Sequence, residues 1–406
     1  MVNTLLLASL LAAPLAAATV LPPTEDPWYT APEGYESATP GTVLRIRSAP
    51  GNLTEIVGNS SAAYNILFRT TDSLYGASWA VTTVFVPEEE DCENPSLLSY
   101  QIPYDSLDVN DSPSYALYSD PPADVGVTLG LGWWVSVPDF EGPLASFTAG
   151  VMSGHATLDS VRAVLRAQIG LEANGTQKAL WGYSGGALAS EWAAELQPQY
   201  APELKLAGIA VGGLTPNTTS VMDSVDGTIA AGLIPAAVLG VLTQYPVAEE
   251  WVISQLHTTG EYNRTGFLAT KDLSLDEAEV YYAYQDIFEY FVNGSSTFQN
   301  EQVVKVLMRD GYMGFHGIPE MPVYAYKAIN DEISPVADTD DLINRYCAAG
   351  ANIIYERNTV GGHDAEEVNG NARALAWLQA LLSGGSYDHA GCTISNVTIA
   401  IEDSPY

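Results

Sequence analysis

Positive charge is scarce in this chain: 15 Lys and Arg stand against 49 Asp and Glu over 406 residues, a formal net charge of −34. Such a surface repels phosphate backbones and anionic membrane faces, which excludes nucleic acid as a partner. Long apolar runs are missing too. The longest internal one, Ile229 to Leu242, is interrupted by Gly232 and Pro235 and is too short to span a bilayer, so no transmembrane segment is expected. Histidine and cysteine are few, five and three residues, and their spacings match no zinc pattern; neither a metal nor an organic cofactor is expected. Internal repeats and low-complexity linkers are absent as well. What remains is 47% hydrophobic and 16% charged, the balance of a globular chain with a sizeable core.

The N-terminus carries an apolar run from Leu5 to Leu15, followed by Ala16, Ala17 and Ala18. A run of that length before small residues reads as a secretory signal peptide over residues 1–18, although its basic leader is missing and the first cation is Arg45. Eight N-x-S/T sequons agree with export and mark glycosylation candidates: Asn52, Asn59, Asn110, Asn174, Asn217, Asn263, Asn293 and Asn396. A secreted, extracellular protein is the expectation. Three cysteines then permit one disulfide. Pairing Cys347 with Cys392 is favoured because it would pin the C-terminal segment to the body of the domain. Cys92 would be left free or bridged between chains.

Alternating stretches between Thr42 and Pro87 predict antiparallel strands. Apolar runs at Ser96–Ile102, Trp133–Val137, Lys178–Trp181, Leu206–Val211, Pro322–Ala328 and Ala351–Glu356 predict buried strands. Helical stretches fall between them, at Leu158–Ile169, Ala187–Leu196 and Arg373–Leu382. This alternation predicts an α/β chain with a mostly parallel, doubly wound sheet. Residues 215–317 break the pattern. They hold the Ile229–Leu242 run and a segment opened by a capping box, Ser274 with Glu277, followed by Tyr281, Tyr284, Phe288 and Phe291 at helical spacing. The expected organisation is a catalytic domain over 19–214 and 318–406 with a helical cap or lid inserted at 215–317.

Gly182-Tyr183-Ser184-Gly185-Gly186 is a G-x-S-x-G motif between a predicted strand and a predicted helix, the setting of a nucleophile elbow. A sharp strand-to-helix turn exposes the serine hydroxyl, and glycines on either side leave room for the turn. A serine hydroxyl needs a base, and the base needs an orienting carboxylate. In chain order the acid and the histidine should follow the serine. His155 precedes it, His257 and His316 lie in the inserted block, and His389 sits beside Cys392. His363, between a strand and the last helix, is the candidate base. Asp331, just past the tip of the 322–328 strand, is the candidate acid, with Glu332 as its rival. An oxyanion hole needs two backbone N–H donors. Gly185 should supply one, and the loop Tyr100–Ser106 the other.

With these residues in view, the chain resembles the fungal secretory lipases. The likeness rests on Ser99-Tyr100-Gln101 with Asp105-Ser106, Val137-Pro138-Asp139-Phe140-Glu141-Gly142 and the elbow itself. It continues through Tyr200-Ala201-Pro202-Glu203-Leu204, Ile329-Asn330-Asp331-Glu332-Ile333-Ser334-Pro335, Cys347-Ala348-Ala349-Gly350-Ala351-Asn352 and His363. The resemblance implies an α/β-hydrolase fold with a helical lid before the acid, and hydrolysis of acylglycerols. It carries the triad onto Ser184, Asp331 and His363 and the oxyanion amides onto Asp105 and Gly185, and it supports Cys347–Cys392. A triacylglycerol lipase working at a lipid–water interface is the first expectation. A secreted esterase on soluble esters is the alternative, and a catalytically silent glycoprotein of the same fold is a third reading.

Overall fold

The computed structural model describes residues 19–384 and 388–401, so the expected signal peptide, 1–18, lies outside the described residues. Ten strands form one sheet: β1 (Val43–Ser48), β2 (Ser60–Thr71), β3 (Ala77–Pro87), β4 (Ser96–Gln101), β5 (Trp134–Pro138), β6 (Gln177–Tyr183), β7 (Gly208–Gly212), β8 (Val323–Ala328), β9 (Ile353–Asn358) and β10 (Cys392–Val397). Their spatial order is β1-β2-β3-β5-β4-β6-β7-β8-β9-β10. β1, β2, β3 and β5 pair antiparallel, and every pairing from β5 onward through β10 is parallel. The strand order reverses at β4, with β5 on one side and β6 on the other. A crevice opens at the carboxyl ends of the strands at such a switch point.

Strands β4, β5, β7 and β8 are buried along their whole length, which is why they read as apolar runs rather than alternations. Successive side chains still go to opposite faces: Leu97, Leu180 and Ile209 join the core on one side, and Leu98, Trp181 and Ala210 the core on the other. Helices Gly150–Arg166 and Gly185–Tyr200 cover the first face. Gly150 and Gly154 let them meet closely, since a Cβ on Gly150 would stand 2.0 Å from the Trp192 ring. Helix His363–Leu382 covers the second face through Leu375, Leu378 and Leu382.

Four elements differ from the sequence expectation. Helix Gly150–Arg166 starts eight residues before Leu158, because its small first turns are buried against the neighbouring helix rather than amphipathic. Helix His363–Leu382 starts ten residues before Arg373. Its first turns are polar and lack apolar periodicity, yet Glu366 is fully buried and bonded by Asn358 and Arg373, and Gly370 lies against the Tyr326 ring. Strand β10 was not anticipated. It is a largely exposed edge strand, held by its pairing to β9 and by the Cys347–Cys392 disulfide. The Ser274–Glu277 capping box is present, but its helix ends at Tyr282, so Tyr284, Phe288 and Phe291 do not continue it. The chain turns there because the Tyr284 N–H donates to Thr228 O and Tyr284 adopts φ 61°.

Between β7 and β8 the chain forms the helical block, including helices Thr218–Val225, Leu233–Leu242, Pro246–Ser254 and Glu301–Asp310. Helix Leu233–Leu242 is buried nearly all round, and a Cβ on its Gly240 would stand 2.5 Å from Phe147 O. The block is thus packed directly on the body. No helix among the described residues is long and apolar enough to cross a membrane. Cys92 is exposed and unbridged. Of the sequon asparagines, Asn52, Asn59, Asn174, Asn293 and Asn396 are exposed, and Asn110, Asn217 and Asn263 are half-buried.

Candidate active site

Strand β6 ends at Tyr183 and the helix starts at Gly185, leaving Ser184 alone at the turn with φ 50° and ψ −119°. A non-glycine residue held there is strained, and the surroundings must over-determine it. They do so through close packing: a Cβ on Gly182 would stand 2.3 Å from Gly186 O, and one on Gly186 would stand 2.0 Å from Gln101 O. The Ser184 N–H donates to Gly212 O at 3.0 Å, which ties the turn to β7.

His363, the first residue of its helix, faces this turn. Its Nδ1 lies 2.8 Å from Asp331 Oδ2, and its Nε2 lies 2.8 Å from Ser184 Oγ. An ionised carboxylate only accepts, so Nδ1 carries the proton and Nε2 is left to accept the serine O–H. Two backbone bonds set the histidine: its N–H donates to Glu332 Oε2 at 2.9 Å, and its carbonyl accepts from Tyr183 Oη at 2.6 Å. Glu332, the rival acid, therefore holds the backbone of His363 and not its ring.

Asp331 is itself over-determined. Oδ1 accepts from the N–H groups of Ile333 at 3.0 Å and Ser334 at 2.8 Å, and Oδ2 accepts from Lys327 Nζ at 2.7 Å. Burial alone would raise the carboxyl, but the His363 hydrogen bond and the Lys327 charge outweigh it and hold it down at about 2. Lys327 is the site residue that the sequence reading missed. Its signal was a charged residue inside an otherwise apolar and aromatic strand, Val323-Tyr324-Ala325-Tyr326-Lys327-Ala328, four positions before the acid.

The remaining histidines are engaged elsewhere. His155 is buried and stacked on Tyr200, His316 packs on Trp192, the His257 N–H donates to Tyr290 O, and His389 Nδ1 sits 2.7 Å from Asn352 Oδ1. Asp105 and Gly185 both reach the cavity wall beside Ser184. Asp105 takes φ 44°, and its carboxyl lies against Gly185, where a Cβ would stand 2.0 Å from Oδ1. That oxygen has no hydrogen-bond partner among the described residues, and burial pushes the carboxyl up to about 7.

The space beside Ser184 is a crevice of about 480 Å³ when its solvent-open part is counted. Its wall is mostly apolar, with Phe147 and Leu188 from the body and Met222, Val225, Leu233 and Ile234 from the helical block. A second apolar space, about 270 Å³, shares Thr218, Met222 and Ala237 with the first and runs on to Phe298 and Leu307. No cluster of residues among those described has the makeup of a metal site.

A family model described as secretory lipase matches residues 124–388. The trichothecene C-3 esterase of Fusarium sporotrichioides is 50% identical over 404 residues, covering 95% of this chain and 90% of that one. Lipase A of Arthroderma benhamiae is 35% identical, covering 96% and 85%. Among solved structures, Candida antarctica lipase A superposes with a TM-score of 0.85 at 26% identity, over 94% of this chain and 91% of that one.

Proposed function

The chain belongs to the secretory lipase family of ester hydrolases, and from that premise we propose that it is an exported serine esterase working through an acyl-enzyme on Ser184. The observation that carries the reading is the relay Ser184–His363–Asp331, with both contacts at 2.8 Å, on the wall of an apolar cavity. His363 Nε2 takes the hydroxyl proton as Ser184 Oγ attacks the ester carbonyl. Asp331 holds the ring in the tautomer that leaves Nε2 free and stabilises the imidazolium that forms. The tetrahedral oxyanion rests on the backbone N–H groups of Asp105 and Gly185. His363 then protonates the leaving alcohol, and a water molecule repeats the sequence to release the acid. The helix that starts at Gly185 adds its positive end to the same oxyanion.

Residues 215–317 act in this reading as a cap that supplies one wall of the acyl cavity, and residues 1–18 as the export signal. For the substrate, the similarity to a trichothecene C-3 esterase favours a soluble ester of that kind over the triacylglycerol first expected. A second reading, triacylglycerol lipase, is supported by the mostly apolar wall of the cavity and by the similarity to Lipase A.

Three substrates given to wild type and Ser184→Ala test both points: a trichothecene ester at C-3, a soluble short-chain ester and an emulsified long-chain triacylglycerol. The expected result is turnover of the two soluble esters, with the emulsion spared, and loss of all activity in the variant. Preference for the emulsion would move the function to lipase. A fully active Ser184→Ala would mean that the nucleophile lies elsewhere.

A further inference from the structure

Lys327 is a lysine with no solvent exposure, an expensive group to bury. Its Nζ donates to Leu214 O at 2.8 Å and to Asp331 Oδ2 at 2.7 Å. The second acceptor is the oxygen that also receives His363 Nδ1, so ammonium and imidazole share one carboxylate oxygen. A tie to Leu214 O alone would not need a cation, since Ser334 Oγ and Thr339 Oγ1 already donate to that carbonyl.

Most of the other titratable groups around this pair are acids. Asp364 and Glu367 lie on the histidine's own helix, Asp105 on the loop after β4, and Glu332 under the His363 N–H. Glu279, on helix Leu275–Tyr282 of the inserted block, faces Asp105 and Asp364. Asp338 and Asp340, on helix Val336–Ala348, face Lys327 from behind. Tyr183 contributes a neutral phenol to the His363 carbonyl. Lys327 is the cation that touches Asp331, while Arg357 is paired to Asp340 and Arg373 to Glu356 and Glu366. Burial raises Asp105 and Glu367 to about 7, so in the acid range Asp331 is the carboxylate that holds the imidazole, and Lys327 shares its oxygen.

We propose that Lys327 is a positioning residue that sets the lower pH limit of the reaction, by sharing the Asp331 oxygen with His363 and tempering the carboxylate's hold on the imidazolium. The inference rests on the triad reading. Lys327 neither gives up nor receives a proton in the cycle; its fixed charge acts through Asp331. A unit charge about 5 Å from the imidazole corresponds to a displacement of about 1–2 pH units at the effective dielectric of such sites.

The test is the pH profile of kcat/KM on a soluble ester, measured for wild type, Lys327→Met, Lys327→Gln and Thr339→Val, with a melt of each protein. Both Lys327 variants are expected to carry the acid limb about 1–2 units higher. Thr339→Val, which removes a donor to Leu214 O and leaves the charge, is expected to keep the limb in place. An acid limb unmoved in Lys327→Met, or restored to the wild-type position by Lys327→Gln, overturns the proposal, because a hydrogen bond would then suffice. If neither variant folds, the 15Nζ resonance of Lys327 in the wild-type protein decides. Burial pulls the Lys327 ammonium down from its ordinary value and Asp331 holds it up; an ammonium throughout the active pH range is expected, and a neutral amine there overturns the proposal. Labelling of wild-type Ser184 by a fluorophosphonate is run alongside: its absence would sink the triad itself, whereas labelling with an unmoved acid limb refutes only the role of Lys327.

Discussion

Gly186→Ala puts one methyl group where the elbow helix crosses β4. The new Cβ would stand 2.0 Å from Gln101 O and 2.8 Å from Gln101 C. Carbon and oxygen come into ordinary contact only beyond about 3.3 Å, so more than about 1 Å of movement is needed. The obstacle is backbone, and it cannot retreat, because β4 is paired on one side to β5 and on the other to β6. Overpacking that side chains can absorb costs about 1–3 kcal/mol, so about 3 kcal/mol is the expectation here, where they cannot. Whatever movement occurs is passed to Ser184, two residues away, whose N–H donates to Gly212 O and whose hydroxyl meets His363. A nucleophile displaced by about 1 Å loses about 100-fold in rate. Urea unfolding measures the first quantity, and the rate of fluorophosphonate labelling, taken well below the unfolding transition, measures the second. A variant within about 0.5 kcal/mol of wild type that also labels at the wild-type rate would refute the close-packing account of the elbow.

Three further outcomes follow from the same geometry. Replacing Cys347 and Cys392 together by alanine opens a crosslink between positions 45 residues apart, worth about 4 kcal/mol on the chain-entropy model; chemical denaturation should show that loss, and an unchanged midpoint would contradict it. Burial opposes ionisation of Glu195, but donors from His316, Gly314 and Tyr346 outweigh burial and depress its folded value. The stability it contributes is therefore present above the unfolded value, about 4.3, and is lost as pH falls through the folded one. Amide exchange at Gly314–His316, the segment it holds, should accelerate in that range, and exchange indifferent to acid would count against the clamp. Asp105, which burial raises to about 7, should ionise beside the oxyanion as pH rises through neutrality. Activity should fall there, and Asp105→Asn should lose that limb; a basic limb retained in the variant would assign it to another group.

The α/β alternation, the elbow and the order serine, acid, histidine were legible because each has a local cause. Buried parallel strands must be continuously apolar, as Ser96–Gln101 and Val323–Ala328 are. An elbow needs glycines at fixed offsets from its serine, and a relay needs a histidine and a carboxylate past later strand tips. The sequons are likewise local patterns, as is the capping box at Ser274. With 15 cations against 49 acids, composition alone argues against a nucleic-acid partner.

What the chain could not announce locally is whatever depends on a distant neighbour. The first turns of the His363 helix have no apolar stripe; Glu366 is held by Asn358 of β9, and further along Asn371 is held to Asp124, partners that no pattern within the helix marks. Edge strand β10 has little core contact, and only its ladder to β9 and a covalent bond define it. Glu332 and Asp331 are adjacent and chemically alike, so only folding could assign the ring of His363 to one and its backbone to the other. Lys327 is the sharpest case. In the sequence it is one of 15 cations, and the tertiary structure alone sets it, desiccated, against the oxygen that orients the base. Periodicity and motif spacing are short-range and survive in one dimension. Which charges share one oxygen in a buried interior is settled by packing, where the low dielectric makes each such choice large.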